Sequence, residues 1–164
     1  GARLALEAAL DEPRIAAAAA NALGALELLK SAERLERAVA SPDAELAVAA
    51  TRALGRIGAA RSLPLLRATC ANARALDLRQ AAAAAWLALE DAPEARAFLA
   101  GCLTDPAADA GEAELALAAW LERTPFAAET LVRWSALDPE PGSIPKPEQV
   151  DARRRARQAL LRAP

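Results

Sequence analysis

Residues 41–70 read SPDAELAVAATRALGRIGAARSLPLLRATC, and the fold is decided here. The stretch holds two Ala- and Leu-rich segments of helical period, near 42–57 and 61–72. Ser41-Pro42-Asp43 places a capping side chain just before a proline, which suits a first helical position. Gly58 reads as the terminator of the first segment, and Ser62 reads as the start of the second. A hairpin of two such helices cannot bury its apolar face alone, so it must stack on neighbours.

The neighbours are visible on either side. The phrase AANALGAL (19–26) returns as AATRALGRI (49–57), AAAAWLAL (82–89) and LALAAWLER (115–123). With Leu23, Leu54, Trp86 and Trp120 taken as equivalent, the spacings are 31, 32 and 34 residues, one helical hairpin per period. Trp86 and Trp120 hold the repeated leucine position and are expected in the core. Asp11-Glu12-Pro13 and Asp105-Pro106 repeat the cap-before-proline pattern, while Asp77-Leu78-Arg79-Gln80 and Asp91-Ala92-Pro93-Glu94 resemble capping boxes. Ser31 and Thr124-Pro125 read as further starts of second helices. Gly55-Arg56-Ile57-Gly58 is read as a helix end rather than a phosphate loop.

These signals divide the chain into one helix at 2–10 and four repeats at 11–40, 41–76, 77–104 and 105–137. The repeat helices are expected near 12–28 and 31–40, 42–57 and 61–72, 77–90 and 93–103, and 109–123 and 125–137. Residues 138–147 (DPEPGSIPKP) carry four prolines and a glycine and are expected to form a loop. A basic helix over 148–164 follows, with Arg153, Arg154, Arg155, Arg157 and Arg162; it is read as a cap on the end of the stack. The same helix could instead dock on an acidic protein, a membrane surface or nucleic acid.

Composition supports an all-α chain. Of 164 residues, 49 are Ala and 26 are Leu, whereas Ile, Val, Phe and Trp together number 12. Ala and Leu are strong helix formers, and strands need the β-branched and aromatic residues that are scarce here. Alanine along the first helices is expected to let helix axes approach toward the short end of the usual ~8–10 Å range. Charge is nearly balanced, 20 basic against 22 acidic residues, which does not suggest a nucleic-acid or membrane binder. The 18 arginines against 2 lysines, with the alanine excess, read as the habit of a high-GC bacterial genome.

Chemistry is poorly provided for. There is no His and no Tyr to serve as acid or base. Cys70 and Cys102 belong to no CxxC pair and read as small buried hydrophobes. The expectation is a chain without enzymatic activity, cofactor or metal. No apolar run approaches the ~20 residues of a membrane span, and a cytoplasmic location is expected. The chain begins Gly1-Ala2-Arg3 and contains no Met, which reads as a piece of a longer protein.

The phrase A-A-x-x-A-L-G, a second helix of the form A-x-x-L-x-x-A, and then S-P-D or D-x-x-A resemble the HEAT-like repeats of the phycobilisome-lyase type. Residues 41–70 carry the resemblance best, 11–40 and 77–103 more loosely, and 104–137 only in periodicity; it covers about residues 11–137. It implies an α-solenoid, a right-handed superhelix of stacked hairpins, and a role as a protein–protein interaction scaffold or adaptor. Two other roles attach to the family: a bilin-lyase-like subunit acting on a chromophore-bearing protein, and a nucleic-acid-binding relative of the HEAT-like DNA glycosylases. The acidic stretch from 90 to 122 speaks against the latter. The family pattern places an Asp before the first helix and an Arg near its start to bond successive repeats. Asp77 and Arg79 fit, but Ala16 and Ala47 stand in the arginine places, so uneven curvature is expected, with repeat four most divergent.

Charge is unevenly placed. Residues 52–79 carry a net of +5 and residues 90–122 a net of −7. Arg52 and Arg56 are four apart and share a helix face. This reads either as solvated faces with acids at helix starts, or as a bipolar surface for a charged partner. The partner is expected to be another protein held on the face of the second helices, through Arg34, Arg37, Arg67 and Arg74, with Trp134 as a further anchor. The chain itself is expected to be a monomer or weak dimer.

Overall fold

The computed structural model describes residues 1–105, residue 109 and residues 111–123. The chain divides into two compact units, Gly1–Ala95 and Arg96–Pro164. The described residues form eight α-helices and no strand: α1 (Ala2–Ala9), α2 (Ala16–Ala25), α3 (Ala32–Val39), α4 (Ala44–Arg56), α5 (Leu63–Asn72), α6 (Leu76–Leu89), α7 (Pro93–Thr104) and α8 (Gly111–Arg123). Trp134, the second helix of repeat four, the proline-rich segment 138–147 and the basic helix expected from 148 lie outside the described residues.

In the first unit α4 packs on both α2 and α6, while α1 lies against α2, α3 against α4 and α5 against α6. Leu23, Leu35, Leu54 and Leu66 are fully buried at the centre, each contributing ~1.5–3 kcal/mol. The helices of this unit thus pair as α1–α2, α3–α4 and α5–α6, one helix out of phase with the hairpins read from the sequence.

The alanine-leucine-glycine phrase has its explanation in the step from one even-numbered helix to the next. A Cβ on Gly24 would lie 2.8 Å from Ala53 Cα and 2.9 Å from its Cβ. A Cβ on Gly55 would meet Ala85 Cα and Cβ at the same two distances. Gly55 is therefore not part of a helix end. It sits inside α4, where only a hydrogen side chain allows the backbone of α6 so near. Alanine supplies the other surface of each contact, and Ala53 and Ala85 are both buried.

After α2 and α4 the chain turns in the same way twice. Leu28 N donates to Leu23 O and Glu27 N to Gly24 O; thirty-one residues on, Ala59 N donates to Leu54 O and Gly58 N to Gly55 O. This is the double bond of a Schellman cap, which needs a left-handed residue at its C′ position. Gly58 fills it with φ 70°, as its terminator reading requires; Glu27 fills it with φ 50°. Each turn then leads through a single 3₁₀ turn, Leu29–Ser31 or Ala60–Ser62, into α3 or α5.

Several caps differ from the sequence reading. Asp43, not Ser41, caps α4: its Oδ1 accepts from Glu45 N and Leu46 N, and Ser41 Oγ accepts from Asp43 N. Asp is the better cap because its carboxylate also meets the positive end of the helix dipole. Helix α2 starts at Ala16 rather than near 12, since residues 11–15 form a turn in which Ile15 N and Ala16 N both donate to Glu12 O. Asp77 lies inside the first turn of α6, whose N-cap is Ala75, so the expected box does not form. Pro93 does open α7, as its sequence position suggests.

Trp86 is half-buried rather than core. The leucine beside it, Leu87, is the fully buried residue of that turn. Trp120, in the second unit, is buried, and Arg96 places its guanidinium carbon 4.4 Å from the ring centroid. Cys70 and Cys102 are buried free thiols.

Two stability outcomes follow from the glycines. Gly→Ala in a helix normally stabilises by up to ~1 kcal/mol. At Gly24 or Gly55 the added methyl strikes backbone, so each substitution is expected to destabilise by ~1–3 kcal/mol through overpacking. Gly101, in α7 with no atom within 4 Å of its added Cβ, should show the ordinary gain. Urea midpoints of the three variants check this, and a stabilised Gly55→Ala would remove the close-approach argument. Glu27→Gly should raise the midpoint by ~1 kcal/mol equivalent, because a non-glycine left-handed residue costs ~1–2 kcal/mol; the same change at exposed Glu45, in right-handed helix, should lower it.

Candidate partner-binding surface

The polar side chains of the odd-numbered helices build a ladder between successive repeats. On α1, Glu7 Oε1 accepts from Arg3 Nη1 and from Ser31 Oγ, both at 2.7 Å. On α3, Glu36 Oε1 accepts from Ser62 Oγ at 2.6 Å and from Arg61 Nε at 3.1 Å, and its Oε2 accepts from Arg61 Nη2 at 2.8 Å. Ser31 and Ser62 are buried. They stand at the N-cap positions of α3 and α5, yet neither caps its own helix. Each hydroxyl instead reaches back to the carboxylate of the preceding odd helix. A hydrogen bond to a charged group is worth ~1.5–3 kcal/mol, more than the ~0.5–2 kcal/mol of a cap.

The next rung has the opposite polarity. Arg67 on α5 occupies the place, 31 residues on, that Glu36 holds on α3. It donates to Glu90, whose Oε1 also accepts from Trp86 Nε1 at 2.6 Å. The Arg67 guanidinium carbon lies 5.3 Å from the Trp86 ring centroid, a cation–π distance. Trp86 is thus held at the edge of the core by its indole N–H, a polar tip that a buried leucine position could not satisfy.

Of the arginines expected to bind a partner, three are engaged within the chain. Arg34 Nη2 donates to Glu7 O at 2.9 Å, satisfying a last-turn carbonyl of α1, and to Asp11 Oδ2 at 2.7 Å. Arg37 pairs with Glu33 one turn away, both side chains well exposed. Arg67 belongs to the rung just described. Arg74, beyond the end of α5, is exposed and has no ion-pair or hydrogen-bond partner among the described residues. Trp134 lies outside the described residues.

The basic stretch 52–79 is accordingly divided. Arg61 and Arg67 sit in the ladder, and Arg79 Nε donates to Cys70 O at 2.7 Å, near the C-terminal end of α5. Arg79 thus bonds to the neighbouring helix, in keeping with the linking role expected of it. Arg52 and Arg56 form the exposed side of α4, whose remaining faces are buried. In the acidic stretch, Glu94 lies in the first turn of α7, Glu112 and Glu114 lie in the first turn of α8, and Asp109 Oδ1 accepts from Gly111 N at 3.1 Å. Acids at helix starts complement the helix dipole.

The sequence reading missed Glu7 and Glu36. Their signal was available: two glutamates 29 apart and two serines 31 apart, in the same order along the chain. Among the described residues, no group of three or more His, Cys, Asp or Glu is placed to hold a metal ion, and no helix is long and apolar enough to cross a membrane. No known protein-family model matches the sequence, and no curated protein is significantly similar to it.

The ladder carboxylates predict an acid limit to stability. Glu7 is held below the ordinary glutamate value of 4.5 chiefly by the Ser31 hydroxyl, with Arg3 and Arg34 assisting against the opposing effect of burial. Glu36 is lowered chiefly by Arg61 and then Ser62, and Glu90 by Arg67 and then Trp86. A lowered folded-state value means that the unfolded chain binds more protons, so stability rises with pH through this window. The contribution is complete above about pH 5 and is lost as pH falls through 4.5 toward the lower folded values. Thermal midpoints from pH 3 to 8 should be flat above about pH 5.5 and fall below it. The triple variant Glu7→Gln/Glu36→Gln/Glu90→Gln should start lower at neutral pH and lose less on acidification. An equal acid slope in both proteins would show that other groups govern it.

Proposed function

We propose that this chain is a HEAT-like α-solenoid that serves as a non-catalytic scaffold or adaptor for another protein. The supporting observation is the repetition of contact detail at the 31-residue step. The same glycine-to-alanine approach, the same Schellman turn and the same serine-to-glutamate bond recur from one repeat to the next. Repetition of this kind lets each added hairpin extend a surface without a new core design. A surface, and the side chains displayed on it, is what such a chain offers a partner.

The ladder narrows where that partner binds. Arg34 and Arg67 would have to break internal bonds, and Arg67 would also give up its place over Trp86. Arg37 is easier to recruit, because an exposed pair such as Arg37–Glu33 is worth only ~0–1 kcal/mol. Arg74 needs to give up nothing among the described residues. The reading therefore places an acidic partner segment on Arg37 and Arg74, with Arg34 and Arg67 as framework.

Affinity capture from the source organism tests this, using the chain with Arg37→Glu/Arg74→Glu beside Arg67→Glu. A specific protein retained by the parent chain should be lost with the double reversal. Arg67→Glu should chiefly lower the thermal midpoint. Retention of the same partner by the double-reversed chain overturns the assignment to these two arginines.

A further inference from the structure

The two stacked helices α2 and α4 are equivalent at 31 residues, but one face of α2 is treated differently. On α4, Leu46, Ala49, Ala53 and Ile57 form the face turned to α2, and they are 7%, 3%, 1% and 7% exposed. The equivalent positions of α2 are Ile15, Ala18, Ala22 and Leu26. Ile15 is 45% and Leu26 56% exposed; Ala18 is exposed and Ala22 half-buried. Spacings of three, four and four residues keep the four on one helical stripe. An apolar stripe that is buried in one repeat and open in its neighbour marks an interaction surface.

We infer that this face of α2 pairs with the same face of a second copy of the chain, antiparallel across a twofold axis. The order of residues along the stripe is what selects this occupant. Antiparallel pairing sets Ile15 opposite the second copy's Leu26 and Ala18 opposite the second copy's Ala22. Bulky residues then close the two ends, and small ones in the middle let the helix axes approach. The flanking charges match as well: Arg14 and Glu27 bracket the stripe, both are exposed, and neither has an ion-pair partner among the described residues. The twofold brings Arg14 of each copy to the end occupied by Glu27 of the other, twice per dimer, as an isologous interface requires. A parallel arrangement would place like charges together. One helix face is smaller than the ~1,200–2,000 Å² of a standard interface, so the dimer is weak and concentration-dependent. This pairing does not depend on the scaffold reading.

Sedimentation velocity over a concentration series provides the test, with the whole chain throughout. The parent protein should pass from monomer to dimer. Ala18→Arg should raise the dissociation constant by about tenfold or more while leaving the thermal midpoint unchanged, since Ala18 faces solvent. Arg14→Glu and Glu27→Arg should each weaken the dimer, and their combination should restore it. Mixing an Ala18→Cys chain with an Ala22→Cys chain should give a disulfide-linked pair faster than either chain alone. A protein that stays monomeric at every concentration overturns the inference, including the case in which a foreign helix covers the face. So does a dimer indifferent to Ala18→Arg.

Discussion

Helix-to-helix distance is the constraint on which the first unit depends. Gly24 against Ala53 and Gly55 against Ala85 bring backbone to within contact of backbone, and the rest of the packing is arranged around that approach. With the even helices so near, alanine suffices to fill the space between them, and leucine is needed only where the odd helices cover them. The composition of the chain, rich in alanine and poor in larger apolar residues, follows from this geometry. An interior at ordinary packing density can be built from small side chains only if the helices themselves supply the bulk.

Small side chains bury little area each, and a fully buried leucine contributes ~1.5–3 kcal/mol where an alanine contributes far less. The odd helices add a second source of cohesion. Each ladder rung joins residues 23 to 26 apart in sequence, so it holds one repeat to the next. The hydroxyl of Ser31 or Ser62 is buried with its carboxylate partner beside it, which makes these bonds costly to break. The arginines at the rim of the same rungs are exposed and contribute less.

How much of this could be read from the sequence depended on the range of the interaction. The helices were legible because their period is local, and Leu23 and Leu54 were legible as core because the phrase around them repeats. Gly58 was recognisable as a left-handed terminator. Gly55 was misread because glycine near a helix end has a common local explanation, while its real reason is Ala85, thirty residues away. Trp86 stood in a leucine position, and the sequence had no means of showing that its indole N–H would find Glu90 and keep the ring at the surface. Arg67 was noticed as a charge but not as a member of a rung, since its partner lies in the following repeat. The proposed binding residues suffered most: a list of arginines does not say which are already spoken for.

The change of sign at the third rung bears on how the chain avoids misassembly. Repeats so alike in their apolar faces could dock out of order during folding, and the glycine steps alone would not prevent it. Glu36 and Arg67 occupy corresponding places, but Glu36 accepts from Arg61 and Ser62 whereas Arg67 donates to Glu90. A slip of one repeat would set Glu36 beside Glu90 and Arg67 beside Arg61, like charge against like. The ladder therefore works as a key as well as a bond, giving nearly interchangeable hairpins a fixed place in line.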